Sequence, residues 1–271
     1  MVDSVKLKEK LVEILGWFHD FCVKNNLRYY AAGGTMLGAM RHQGFIPWDD
    51  DVDVCMPRSD YNKFIELMKE NDNDKYELET PETLEKDYYY PFCKLYDTQT
   101  TLVENTKYKI KRGIYLDIFP LDGFGQTEEE ARKNFNKTQK TYNLLLSKVA
   151  GIRKGRKFYK NIAVILFRLI PINPKKILKK LVRQCAERDF DQYAFGGNPV
   201  GAWRFREIMP TAVMGQPKLY KFENIEIYGA QDADAYLTNL YGDWRQLPPE
   251  EKRVTHHDFI YIDLEKSYLE K

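Results

Sequence analysis

The chain has 271 residues, 43% hydrophobic and 30% charged, enough for a full hydrophobic core in one large domain or two small ones. Its net charge of +2 hides an asymmetry, because residues 151–190 hold twelve Lys and Arg against two acids, a local +10 that leaves the remainder near −8. No stretch approaches the roughly 20 apolar residues of a membrane span, and Cys22, Cys55, Cys93 and Cys185 include no Cys-x-x-Cys pair, which argues against a zinc knuckle or a redox motif.

The charged N-terminus, residues 1–10, lacks a signal-peptide apolar region, so a cytoplasmic address with buried free thiols is expected. Residues 5–24 place Leu7, Leu11, Ile14, Leu15, Phe18 and Cys22 on one helical stripe, with His19 as a structural histidine. Residues 27–32 read as the first core strand. Gly33 and Gly34 then sit at the mouth of a helix over 35–40, where glycines let a phosphate approach backbone N–H groups. Arg41 and His42 end that helix and Gly44 breaks it. Arg41 is placed either to grip phosphate oxygens or to answer the helix dipole.

Four aspartates follow within five positions, Asp49, Asp50, Asp51 and Asp53. Such a cluster repels itself and is costly to fold around unless a cation neutralises it. The alternation Asp51-Val52-Asp53-Val54 reads as a strand that aims both carboxylates to one face and both valines into a core. Two hard oxygen ligands on one rigid face suit Mg²⁺ or Mn²⁺. Ser59 is expected to cap a helix over 60–69. Residues 88–97 read as a strand whose Lys94 either holds a donor diphosphate or blocks edge pairing.

Residues 113–120 (GIYLDIFP) form a second strand of chemical interest. Ile114, Leu116 and Ile118 share one face, while Tyr115, Asp117 and Phe119 share the other. A buried carboxylate is seldom left alone, so a strand beside Asp51 and Asp53 would make Asp117 the third metal-site acid. Asp122 is expected to shape the following turn. Helices are expected over 128–150, opened by a Thr127/Glu130 capping box, and over 157–169 and 174–193. Late strands or ordered loops cover 196–206 and 223–229, and a short helix covers 232–241, ending at Gly242.

These residues carry a resemblance. Gly33-Gly34-Thr35, Leu37-Gly38-Ala39, Arg41-His42, the run from Gly44 to Asp53 and Arg58-Ser59-Asp60-Tyr61 resemble the LicD family, phosphocholine transferases with a nucleotidyltransferase-type fold related to the fukutin group. Gly113 to Asp122 and the C-terminal Tyr241-Gly242-Asp243-Trp244, Leu247-Pro248-Pro249 and Arg253 to His257 fit the same pattern.

The expected fold is therefore α/β (α+β), a nucleotidyltransferase-like mixed sheet core over 1–125. A basic helical subdomain over 126–195 and a C-terminal segment over 196–271 would complete it. Asp51, Asp53 and Asp117 would hold Mg²⁺, with Mn²⁺ as the substitute. Gly33, Gly34, Thr35, Arg41, His42, Lys94 and His257 would contact donor or acceptor. Asp117 would complete the metal shell or take the acceptor hydroxyl's proton.

The resemblance implies CDP-choline or a related CDP-alcohol as donor, and a sugar of a surface glycan precursor as acceptor. Tyr88, Tyr89, Tyr90, Trp203, Tyr241 and Trp244 are candidates for an aromatic box around the choline head. A lipid-linked acceptor would give the basic face over 151–190 a use as a dock on the inner leaflet; nothing in the sequence supports nucleic-acid binding. Two rivals stand: a glycosyltransferase using Asp-x-Asp with a nucleotide sugar, and a membrane-associated scaffold whose acidic loop only binds cation.

Overall fold

The computed structural model describes residues 4–82, 89–104, 110–149, 159, 162, 172–255 and 259–270. It is a mixed α+β structure in which helices cover a strongly curled sheet. Strand β7 (Tyr115–Gly125) is its spine. The first half of β7 pairs in parallel with β2 (Asp53–Pro57) and antiparallel with β4 (Cys93–Asp97), while its second half turns away to pair with β8 (Phe195–Gly197). Strand β1 (Tyr30–Ala31) flanks β2, β3 (Tyr76–Glu79) flanks β4, and β9 (Ile208–Pro210) flanks β8, closing seven strands around one core.

Alternation in the sequence explains the central strands. Val52 and Val54 are fully buried, as are Leu116 and Ile118, so the apolar face of β2 and β7 is continuous. Helix α1 (Ser4–Lys24) buries Leu7, Leu11, Ile14, Leu15, Phe18 and Cys22 against them, and His19 Nδ1 meets the Tyr29 hydroxyl at 2.8 Å, a structural contact. All four cysteines are free and buried.

Local boundaries moved in several places. Helix α2 (Gly33–His42) begins at the glycine pair itself, and Gln43 rather than Gly44 adopts the left-handed conformation at its end (φ 55°). Gly44 is small for another reason, since a side chain there would run into the Glu223 carboxylate. Helix α3 (Arg58–Lys69) starts one residue before Ser59, with Pro57 at the N-cap position, so Ser59 is not its cap. Asp122 lies inside β7, fully buried, and shapes no turn: it takes a bidentate pair of hydrogen bonds from Arg58, both at 2.7 Å.

Helix α4 (Glu128–Val149) opens with Glu130 N–H on Thr127 Oγ1, while the Glu130 carboxylate reaches back to Gln126 N–H at 2.9 Å. Helix α5 (Pro174–Ala186) is shorter than periodicity indicates, stopping before the 3-10 turn Phe190–Gln192. It buries Ile177, Leu178, Leu181 and Cys185 together with Leu145 of α4 and turns Lys176, Lys179, Lys180 and Arg183 to solvent. Of the helix expected over 157–169, only Tyr159 and Ile162 fall within the described residues.

The C-terminal residues return to the first core. The hairpin β10 (Lys218–Phe222) and β11 (Ile225–Gly229) packs Phe222 and Ile227 into it, and helix α6 (Ala233–Tyr241) adds Tyr236, Leu237 and Leu240. Periodicity gives no sign of a separate small sheet, β5 (Thr101–Glu104), β6 (Lys111–Arg112) and β12 (Phe259–Asp263), which Tyr115 of β7 reaches through Glu104. Among the described residues no helix is long and apolar enough to cross a membrane.

Candidate functional site

Strand register builds the site. Asp53 on β2 lies directly opposite Asp117 on β7, and Asp117 directly opposite Lys94 on β4. Registered neighbours share a face of a sheet, so these three side chains stand in one row. Lys94 is opposite Glu79 on β3, which takes two hydrogen bonds from Arg112. The row therefore alternates into paired charge on one side and ends in excess acid on the other.

Lys94 is only 3% exposed, and its ammonium lies 2.6 Å from Asp117 Oδ1. It sits 3.4 Å from the centroid of the Tyr115 ring and 4.8 Å from that of Tyr90. The Tyr115 hydroxyl in turn donates to Glu104 at 2.7 Å. Of the two sequence readings for Lys94, the edge lysine is excluded, because β4 is interior to the sheet.

The acid end gathers several carboxylates. One carboxylate oxygen from each of Asp49, Asp50 and Asp51 falls within 4.8 Å of the others, in the loop that leads into β2. Burial pushes the Asp53 carboxyl far above the ordinary carboxylate range, with Asp51, Asp117 and Asp49 adding repulsion and Lys94 opposing it. Burial also raises Asp117, to about 6, against the pull of Lys94. A divalent cation would relieve that repulsion, and hard carboxylate oxygens are the donors Mg²⁺ prefers, so the residues present fit such an ion.

The start of α2 faces the same acids. Gly33 takes φ +48°, and a side chain there would point between Asp53 Oδ2 and the Tyr241 hydroxyl, each 3.8 Å from the added carbon. At Gly34 an added carbon would lie 2.6 Å from Asp49 Oδ2, so glycine is what lets the Asp49 carboxylate lean over the helix N-terminus. Gly33 N–H donates to the Tyr236 hydroxyl at 3.0 Å. Thr35 is buried, and its hydroxyl accepts the Asp53 N–H at 2.8 Å, locking the head of β2 to α2.

Arg41 and His42 sit in the last turn of α2, at the opposite end from the glycines. Arg41 donates to the Trp244 carbonyl at 3.0 Å and to the Gln246 carbonyl at 3.4 Å, pinning the C-terminal segment onto the helix. Arg41 Nε and His42 Nδ1 are buried and make no hydrogen bond among the described residues, and burial lowers the pKa of both groups. His257 lies outside the described residues.

Two contributors escaped sequence reasoning. Tyr236 carries only a helical signal in the sequence, and its role on Gly33 needs the return of α6 to α2. Glu207, in Arg-Glu-Ile-Met-Pro, carries no periodic or motif signal. It is 9% exposed, burial raises it to about 7, and its Oε1 accepts the Trp203 N–H at 3.2 Å.

Residues 26–147 match the family described as LicD/FKTN/FKRP, nucleotidyltransferase domain. The chain is 28% identical over 257 residues to the lipopolysaccharide cholinephosphotransferase LicD of Haemophilus influenzae, covering 91% of this chain and 92% of that protein. An uncharacterized protein of Rickettsia prowazekii is 30% identical over 121 residues, 45% of this chain and 42% of its own. Another, from Rickettsia typhi, is 38% identical over 65 residues, 24% of this chain and 21% of its own. The matched 26–147 segment holds the glycine pair, the acid loop, Lys94 and Asp117. That segment carries the chain's similarity to the LicD/FKTN/FKRP nucleotidyltransferase domain, and over most of its length the chain is similar to the Haemophilus influenzae LicD protein.

Proposed function

We propose that the chain moves phosphocholine from CDP-choline to a sugar hydroxyl of a cell-surface glycan precursor, of lipopolysaccharide or teichoic acid type. The chain is a phosphotransferase. The observation that carries the reading is the carboxylate row Asp53–Asp117, with the Asp49–Asp51 loop, packed against a glycine-lined helix start inside the matched segment 26–147.

Asp51, Asp53 and Asp117 would hold Mg²⁺ or Mn²⁺. When bound, the ion neutralises diphosphate charge and steadies the departing nucleotide. Gly33 and Gly34 would leave a donor phosphate room near the start of α2, whose positive end favours an anion. Lys94 fixes the Asp117 carboxylate in the row. Arg41 holds the Trp244–Gln246 segment in place at the far end of α2. Asp117 either completes the metal shell or takes the acceptor hydroxyl's proton. The acceptor oxygen forms a bond to the choline-bearing phosphorus as the phosphorus–oxygen bond to CMP breaks, and in-line positioning supplies most of the catalysis.

A lipid-linked acceptor would place the enzyme at the inner face of a membrane. The exposed lysines of α5 offer an anionic leaflet a docking face of matching charge.

The test is product identification. Incubation with CDP-choline, Mg²⁺ and a glycan-precursor acceptor is expected to release CMP and phosphocholine-bearing glycan, with release abolished by chelator. Nucleoside diphosphate release from a nucleotide sugar would instead assign a glycosyltransferase. Turnover of another CDP-alcohol, with CDP-choline inert, would change the donor.

A further inference from the structure

Behind the acid cluster stands an aromatic pair supported by a carboxylate that the reaction above does not use. The Tyr241 hydroxyl borders the Gly33 turn, as does Asp53 Oδ2. Trp203 meets Tyr241 edge-on, with ring centroids 4.8 Å apart and planes at 71°. Trp203 is 40% exposed, so the pair reaches from the glycine turn to solvent.

Other rings are committed elsewhere. Trp244 is buried, with its indole N–H on Asp234 at 3.0 Å, and Tyr90 faces the Lys94 ammonium. Tyr88 lies outside the described residues.

The loop carrying Trp203 is built to hold it. Glu207 Oε1 takes the Trp203 N–H, and the Glu207 carboxylate fills the space over Gly201, where any side chain would collide with it. Arg206 donates to the Leu240 carbonyl at 3.1 Å, and Asn239 donates to the Arg206 carbonyl, latching the 3-10 turn Arg204–Glu207 to α6. Arg204, directly after Trp203, sits at φ +57°, a conformation a non-glycine residue keeps only where its surroundings impose it.

We infer that Trp203 and Tyr241 form the wall that selects a quaternary ammonium head on the transferred group, with Glu207 as the residue that positions Trp203. The inference rests on the reading that the donor carries choline. A trimethylammonium group has no N–H to give a carboxylate. Ring faces and a negative surrounding field hold it, and both are present here: Trp203 packs on Tyr241, whose hydroxyl shares the Gly33 turn with Asp53 Oδ2, and Asp49 covers the neighbouring Gly34. A neutral group of the same shape gains nothing from either.

The test compares phosphocholine with 3,3-dimethylbutyl phosphate, in which carbon replaces the charged nitrogen, by calorimetric titration of the full chain in Mg²⁺. Wild type is expected to favour phosphocholine about tenfold or more. Trp203→Ala should cut that ratio below about threefold, and Trp203→Phe should keep part of it. Glu207→Ala should also lower the ratio, and Glu207→Gln, which keeps an oxygen for the Trp203 N–H, should restore it. If Glu207→Ala does not fold, the Trp203 pair and Glu207→Gln carry the test.

A Trp203→Ala ratio within twofold of wild type overturns the wall, and a Glu207→Gln ratio that matches Trp203→Ala overturns the positioning role. Wild type that transfers phosphocholine while Trp203→Ala keeps the ratio refutes this inference and spares the proposed reaction. Trp203-dependent preference without any transfer refutes the reaction and spares the wall. No preference in wild type refutes the wall outright.

Discussion

Strand β7 carries two aspartates five positions apart, Asp122 buried and Asp117 partly so, and their surroundings are opposites. Asp122 meets Arg58 one to one, through two 2.7 Å hydrogen bonds, with both side chains withdrawn from solvent. Asp117 pairs with Lys94 and also stands beside Asp53, whose carboxyl is raised far above its usual range by burial, with repulsion from Asp51, Asp117 and Asp49 adding to it. A closed pair has no use for a ligand, and removing one partner strands the other. An over-acidic group stays stable only by holding protons or a cation. Charge balance, rather than burial, separates the brace from the site.

The sharpest way to break this contrast is Asp53→Asn. Transfer should fall at least a thousandfold, about 4 kcal/mol of barrier, while the metal-free variant melts at or above the wild-type temperature because a source of repulsion is gone. Steady-state rates at saturating Mg²⁺ and a melting curve in chelator check both halves. Turnover within tenfold of wild type would remove Asp53 from the chemistry.

At the brace the effect should be on folding instead. Asp122→Ala leaves a buried guanidinium alone and should cost about 3–5 kcal/mol, read as a lost denaturant midpoint. Replacing Arg58 and Asp122 together by Met and Leu should recover most of it.

Glu207 tests whether a lone buried acid behaves as the argument requires. Its folded pKa of about 7 lies above its usual 4.5, so the folded chain binds the proton more tightly. Its contribution to stability is full below about 4.5 and is lost as pH rises through about 7. Glu207→Gln should therefore gain about 2 kcal/mol over wild type at pH 8 and nearly nothing at pH 4.5, measured by paired urea titrations. Equal gains at both values would mean that the carboxyl does not titrate there.

The smallest expected effect sharpens the metal half of the comparison. The Asp117 carboxyl is also raised, to about 6, so its protonated form favours folding below the ordinary carboxylate range, and that contribution is lost as pH rises through 6. Mg²⁺ competes with those protons and should stabilise the protein about 1 kcal/mol more at pH 8 than at pH 5. A shift independent of pH would place the ion elsewhere.

Much of this was legible in the chain itself. Two-residue alternation around Asp53 and Asp117 fixed which side chains go inward, and α1 and α4 follow from apolar spacing alone. The glycine pair and the aspartate run are the local signals behind the proposed anion-and-cation site, because a self-repelling acid run is expensive to fold around without a cation. What local pattern cannot carry is partnership at long range. Asp122 looked like a turn former because Arg58, 64 positions away, supplies its charge only after β2 and β7 are side by side. Glu207 had no signal because its acceptor role depends on a loop folding back on itself. That Lys94 meets Asp117, and Tyr236 meets Gly33, was decided by strand register and by the return of α6, where many weak contacts summed over the core choose one arrangement that no single segment specifies.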